Sequence, residues 1–144
     1  MYDDALKEGW ARPGARRGPD DFEILPTVTV IVADDVEQAA DAMKPSLALY
    51  VGGMGAREMN FHFDVFARLG YEAEATKIQD LYLDGRKDEA TAAVPRRMVE
   101  EIALIGPKEK IRDDLEAWKA SRVTTMLIGA HDPSAMRLMA ELVL

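Results

Sequence analysis

Few side chains in this sequence can act as nucleophile, metal ligand or near-neutral proton carrier: there are two histidines and no cysteine in 144 residues. The histidines, His62 and His131, stand far apart, and neither has metal-ligand spacing to another candidate, so no metal site is expected. No serine, histidine and acid are arranged around a recognisable nucleophile turn. Gly52-Gly53-Met54-Gly55 superficially suggests a phosphate cradle. It lacks the Lys-Ser/Thr of a P-loop and does not directly follow a strand, so it reads as a helix-to-helix turn that needs glycine dihedrals. Asn60-Phe61-His62 is the more informative triplet. On a helix, Phe61 faces the core with Val65 while Asn60 and His62 flank it, either lining a pocket or capping and hydrogen-bonding within the helices. Glu100-Glu101 and Asp113-Asp114 sit next to Lys108, Lys110 and Arg112 and read as solvated charge, not as an acid/base pair.

The elements that would position these residues follow from periodicity and punctuation. Asp3 to Trp10 reads as the end of a helix whose beginning is absent, and a Pro/Gly/Arg loop follows, so residues 1–21 form a helix tail and loop. Thr27-Val28-Thr29-Val30-Ile31-Val32, entered through Pro26, is β-branched and near-continuously apolar. It predicts a strand within residues 22–33, buried on both faces as in a parallel sheet. Residues 34–105 read as helical throughout. Asp34 with Glu37 makes an N-terminal cap, and Val36, Ala39, Ala40, Met43 and Leu47 form a stripe that Pro45 should kink or split. Phe61, Val65, Phe66 and Leu69 form the next stripe, stopped by Gly70; Ala75, Ile78, Leu81 and Tyr82 the next, stopped by Gly85. Asp88 opens a short helix, and Pro95 opens another with Met98, Val99 and Ile102 inward. Residues 106–144 read as helix, strand, helix. A helix begins at Gly106-Pro107, a strand spans Val123 to Ile128, and a last helix opens at Asp132-Pro133 with Met136, Met139, Ala140 and Val143 inward.

Composition fits one globular domain with a real core: 48% hydrophobic and 31% charged residues over 144 positions. The net charge of -8 argues against nucleic acid or an anionic membrane surface as partner. The one basic cluster, Arg12, Arg16 and Arg17 among Pro13, Gly14, Gly18 and Pro19, reads as a solvated loop. Without cysteine there are no disulfides or thiolate sites. No apolar run approaches the ~20 residues of a membrane span, and the acidic start is no signal peptide. A cytoplasmic location is the default expectation.

One long run carries a resemblance. It begins Tyr50-Val51-Gly52-Gly53-Met54-Gly55-Ala56-Arg57-Glu58-Met59-Asn60-Phe61-His62 and continues through Asp80-Leu81-Tyr82-Leu83-Asp84-Gly85-Arg86-Lys87, Ala93-Val94-Pro95 and Leu104-Ile105-Gly106-Pro107 to Val123-Thr124-Thr125-Met126-Leu127-Ile128. This resembles the C-terminal part of the luciferase-like flavin and deazaflavin oxidoreductases, in particular the actinobacterial branch that uses coenzyme F420. The resemblance implies an α/β fold: the C-terminal portion of a (β/α)8 TIM barrel, strands seven and eight, with a long helical insertion, mostly helical overall. Such barrels need roughly 250 residues. It also implies coenzyme F420, or alternatively FMN, and hydride transfer or monooxygenation on a small organic substrate.

Much of the family's cofactor cradle comes from N-terminal strands, so no catalytic residue carries over. Barrel geometry instead selects the C-terminal ends of the strands: Val32 to Asp35, and Gly129-Ala130-His131-Asp132. There Gly129 would let a ligand approach the backbone, and His131 would supply a donor or proton. The same loop also reads as a surface turn ahead of an Asp132 N-cap. Gly129, His131, Asn60 and His62 are the candidate pocket residues. With the other barrel strands absent, an apolar face and an unpaired edge would meet water. The expectation is that the chain pairs with the missing N-terminal barrel part, self-associates, or is only marginally stable. The leading expectation is a partial oxidoreductase inactive alone. A standalone helical interaction module is the alternative, and a self-sufficient deazaflavin binder the third.

Overall fold

A computed structural model describes residues 2–130 and 132–144. Three short parallel strands form the sheet: β1 (Thr27–Val32), β2 (Ala103–Gly106) and β3 (Leu127–Gly129), in the order β2-β1-β3. The helices are α1 (Asp3–Ala11), α2 (Val36–Gly53), α3 (Phe61–Phe66), α4 (Glu72–Leu83), α5 (Lys87–Ala92), α6 (Arg96–Glu100), α7 (Lys108–Lys119) and α8 (Pro133–Val143). The two strands expected from the sequence do lie side by side and parallel. A third strand was not expected. Ala103–Gly106 lies within the stretch read as helical, because α6 stops at Glu100 and never reaches Ile102. Its four residues are all buried, and so short an apolar run does not distinguish strand from helix by period. β2 therefore fills one edge of β1 that the two-strand reading left open.

The sheet has two unequal faces. Val28 and Val30 of β1 and Leu104 of β2 pack under α7 and α8 with Ile111, Leu115, Leu138 and Met139. Each such fully buried aliphatic side chain contributes about 1.5–3 kcal/mol. Alternation sends Ile31, Ala103 and Ile105 to the opposite face, where Ala48, Val51, Ile78, Met98 and Val99 of the helical layer meet them. That layer covers only the β2 side. Thr27 and Leu127, paired on the same face at the β3 side, are exposed. On one face of β1 Val28 and Val30 are buried while Val32 at its end is exposed, and the other face is only partly covered, so burial is not continuous on both.

Several local expectations are corrected, each for a physical reason. The α2 cap is Asp35, not Asp34: its Oδ1 accepts from the Glu37 and Gln38 amides at 2.9 and 3.2 Å. Pro45 neither splits nor ends α2, which runs unbroken for 18 residues. Pro45 and Asp41, whose carbonyl loses its donor, both lie on the exposed side where water can serve it. Gly52 and Gly53 belong to the last turn of α2 rather than to a turn between helices. A Cβ on Gly52 would stand 2.5 Å from Tyr82 Cβ, and one on Gly53 would stand 2.4 Å from Tyr82 Cε1. The pair lets α2 and α4 touch. Phe61 and Leu69 face water, while Phe66 and Tyr71 take the core. Gly70, at φ 95°, turns the chain between α3 and α4 and shifts the helical phase there. The second expected strand shortens to Leu127–Gly129. Residues before it carry no regular structure and are latched to Ile24, whose amide donates to Thr124 Oγ1 at 2.9 Å. In α8 the inward residues are Ala135, Leu138 and Met139, whereas Met136, Ala140 and Val143 of the expected stripe are exposed.

Candidate functional site

Parallel pairing brings the C-terminal ends of all three strands to one side of the sheet, where α2, α7 and α8 begin. In open α/β sheets this is where ligands bind. The ends are staggered. Gly106 of β2 lies opposite Val32, the last residue of β1, whereas Gly129 of β3 lies opposite Thr29. The Gly129 loop therefore leaves the sheet about 10 Å short of β1's end, at roughly 3.3 Å per residue.

Gly129 is half-buried, and a Cβ there would make only ordinary contact with Thr29 Oγ1 at 3.8 Å. Close backbone approach to the protein itself does not require glycine at this position. His131 lies outside the described residues. Beside it, Asp132 caps α8: its Oδ1 accepts from the Ser134 amide at 2.8 Å, and these hydrogen bonds hold its carboxyl below the usual range. With Asp34 and Asp35 after β1, the rim of this edge is acidic, and the amides of α2 and α8 are already engaged by aspartates. At the N-termini of α2 and α8, carboxylates stand where a phosphate would bind, whereas α7 begins after Pro107 without a side-chain cap.

The second cluster sits at the far end of α2. Tyr50 stands 14 residues beyond Val36, about 21 Å along the helix. Asn60 is 2% exposed and fully engaged. Its Nδ2 donates to the Tyr50 and Val51 carbonyls at 3.1 and 2.8 Å, and its Oδ1 accepts from the His62 and Phe63 amides at 3.0 and 3.2 Å. One amide side chain closes the C-terminus of α2 and caps the N-terminus of α3. Of the two roles open from the sequence, the structure places Asn60 in capping. His62 is half-buried, its ring edge-on to Tyr50 (4.7 Å between centroids) and to Phe61 (5.3 Å). Exposed Met54, Met59 and Phe61 extend this patch. It offers an apolar, aromatic wall with one imidazole.

Among the described residues, Asn60 and His62 are not brought to Gly129. No hydrogen bond or ring contact among the described residues joins Asn60 or His62 to Gly129. Among the described residues, no group of three or more His, Cys, Asp or Glu is placed to hold a metal ion, and no helix is long and apolar enough to cross a membrane. The ring pairing of Tyr50 with His62 was missed from the sequence, since the eleven intervening residues follow no single helical period. Tyr71 was missed too: it is buried, its hydroxyl donates to Glu101 at 3.0 Å, and Arg97 lies 5.0 Å from its ring centre.

Comparison with known proteins places these features in a larger frame. A protein of Mycobacterium tuberculosis (strain ATCC 25618 / H37Rv), described as a "putative coenzyme F420-dependent oxidoreductase", is 43% identical over 143 residues. The match takes in 99% of this chain but 41% of that protein, so the chain spans well under half the relative's length. The sequence model of the luciferase-like monooxygenases matches residues 3–125, most of the chain. This chain belongs to the luciferase-like monooxygenase family.

Proposed function

We propose that the chain is one part of a coenzyme F420-dependent, luciferase-like oxidoreductase, and that it forms no competent coenzyme site alone. The carrying observation is the mismatch between its family and its furnishing. The chain matches a relative more than twice its length, yet two of the three helix N-termini at its strand ends, those of α2 and α8, are occupied by its own Asp35 and Asp132. In this reading the remaining part of the fold supplies the coenzyme cradle, and the present strand ends supply one wall of the cavity. When bound, the coenzyme supplies the hydride or, with FMN in its place, the oxygen chemistry on a small organic substrate. This chain's own contribution is to position and to exclude water. The Tyr50–His62–Phe61 patch, with its single imidazole, is its best-furnished surface for a planar or apolar group.

The test is reconstitution. This chain is co-expressed with the remaining part of the Mycobacterium tuberculosis relative, and the coenzyme's visible absorbance is followed with candidate small organic reductants. Turnover by the pair and none by the chain alone supports the reading. Turnover by the chain alone contradicts it.

The alternative, a standalone interaction module without catalysis, is favoured by one observation: apolar side chains of α8 face water. It predicts a defined oligomer that is indifferent to coenzyme F420 and FMN alike.

A further inference from the structure

We propose that the apolar patch at the α2–α3 junction is a homodimer interface, in which Phe61 and Met59 of each copy pack on the Tyr50–His62 rings and Met54 of the other. The patch lies about 21 Å along α2 from the strand ends, so it stands or falls independently of the coenzyme reading.

Four large apolar side chains meet water there. Tyr50 is 41% exposed, Met54 49%, Phe61 62% and Met59 81%. They are contiguous. His62 sits edge-on to both Tyr50 and Phe61. At Gly55 the chain turns back so tightly that an added Cβ would stand 3.1 Å from the Met59 carbonyl oxygen, which brings Met54 and Met59 to the same end. The patch is also held in place: all four Asn60 hydrogen bonds go to the backbone beneath it. Little ordering remains to be done on docking, which keeps the entropic cost of association low.

Its size matches what a dimer needs. At about 200 Å² for a fully exposed side chain of this class, the exposed fractions amount to roughly 450 Å² of apolar surface. An interface of ordinary size buries about 800 Å² per partner, of which about 57% is apolar, again roughly 450 Å². Apolar residues scattered singly over a surface do not reach this.

Charge selects a second copy as the occupant. The chain carries a net charge of -8, so two copies repel on the whole. This end is neutral ground. From Leu49 to Leu69, Arg57 and Arg68 balance Glu58 and Asp64. The α4–α5 turn lies beside it, joined by the ion pair of Arg57 with Asp80, and there Arg86 and Lys87 balance Asp80 and Asp84. The chemistry is self-complementary as well. A two-fold axis through the patch sets each Phe61 ring against the other copy's Met59 thioether and paired rings, the contacts that aromatic and sulfur groups favour.

The experiment is sedimentation equilibrium of the full chain, which is expected to dimerise at micromolar concentrations. Met59→Asp combined with Phe61→Asp should raise the dissociation constant at least about a hundredfold. Both positions are exposed, and Phe61 opens α3, where a carboxylate suits the helix end. Melting measured below the wild-type dissociation constant, where both proteins are monomeric, should therefore be unchanged. A second measurement needs no variant. Pulsed methionine oxidation of the wild type, read by mass spectrometry, should slow at least about tenfold at Met59 on dimerisation and stay the same at Met136. A chain that stays monomeric at hundreds of micromolar overturns the interface. So does a dimer that keeps its affinity in the double variant, and so does one that protects Met136 while Met59 stays reactive, which places the contact on α8.

Discussion

At the scale of single residues, chemistry and architecture divide differently than residue types suggest. Asn60 has the polarity of a site residue, but each of its four hydrogen bonds goes to backbone at the α2–α3 junction. Asn60→Ala should cost about 2–3 kcal/mol, from a lost N-cap and two stranded carbonyls, measured as a fall in chemical-denaturation midpoint. Asn60→Asp keeps the acceptor for α3 but turns an oxygen on the α2 carbonyls, so it should be no better than alanine. The glycines make a paired prediction. Gly53→Ala meets the far end of the Tyr82 ring, which can move; Gly52→Ala meets Tyr82 Cβ and lies 3.2 Å from the Ile78 carbonyl. Gly52→Ala should be the more damaging, within the ~1–3 kcal/mol of overpacking, and Tyr82→Leu should relieve only Gly53→Ala. Equal losses would show that α2 and α4 can part. Residue identity alone could point to the Gly52-Gly53 pair but not to its use. A helical glycine and a turn glycine look alike until the neighbour, here Tyr82, is known.

Among the elements, helix ends were the most legible. Pro107, Asp132 and Pro133 stand where a chain must enter a helix, and α7 and α8 begin there. Gly85, at φ 82°, ends α4, with the Arg86 amide bonding the Leu81 carbonyl at 2.9 Å. β2 was illegible because four apolar residues carry no period. The outward faces of α3 and α8 were misread because an apolar stripe shows which residues share a face, not whether this chain covers it. The junction of α6 with α7 and Tyr71 yields a pH prediction. Burial raises the Tyr71 phenol, and its bond to Glu101 adds to this. Burial pulls Lys110 down, but the carboxylates of Asp114 and Glu100 outweigh it and hold the ammonium above its usual value. Both groups bind a proton more tightly folded than unfolded. Their contribution is therefore complete below the unfolded values of 10.0 and 10.5 and fades as pH rises through the folded ones. Melting temperature should fall across this alkaline window, and Tyr71→Phe should flatten part of the fall. A profile rising with pH there would contradict both assignments.

Seen as a whole molecule, the chain has two satisfied cores and one side, at β3 and α8, whose apolar groups face water. The helical layer and the α7–α8 layer each bury their own apolar set, which is why the family and the α/β class were legible from local signatures. The position of that open side was not. It depends on β2 taking one edge of β1 and β3 taking the other, which leaves β3 as the open margin. The coenzyme question belongs at this scale, because two of the three helix N-termini at the strand ends are already capped by this chain's own aspartates. The most direct measurement is an equilibrium titration of coenzyme F420, read by its fluorescence. It is made against this chain alone and against the chain co-purified with the remaining part of the Mycobacterium tuberculosis relative. The account predicts no saturable binding to the chain alone and one site per assembled pair. Stoichiometric binding to the 144 residues by themselves would contradict it.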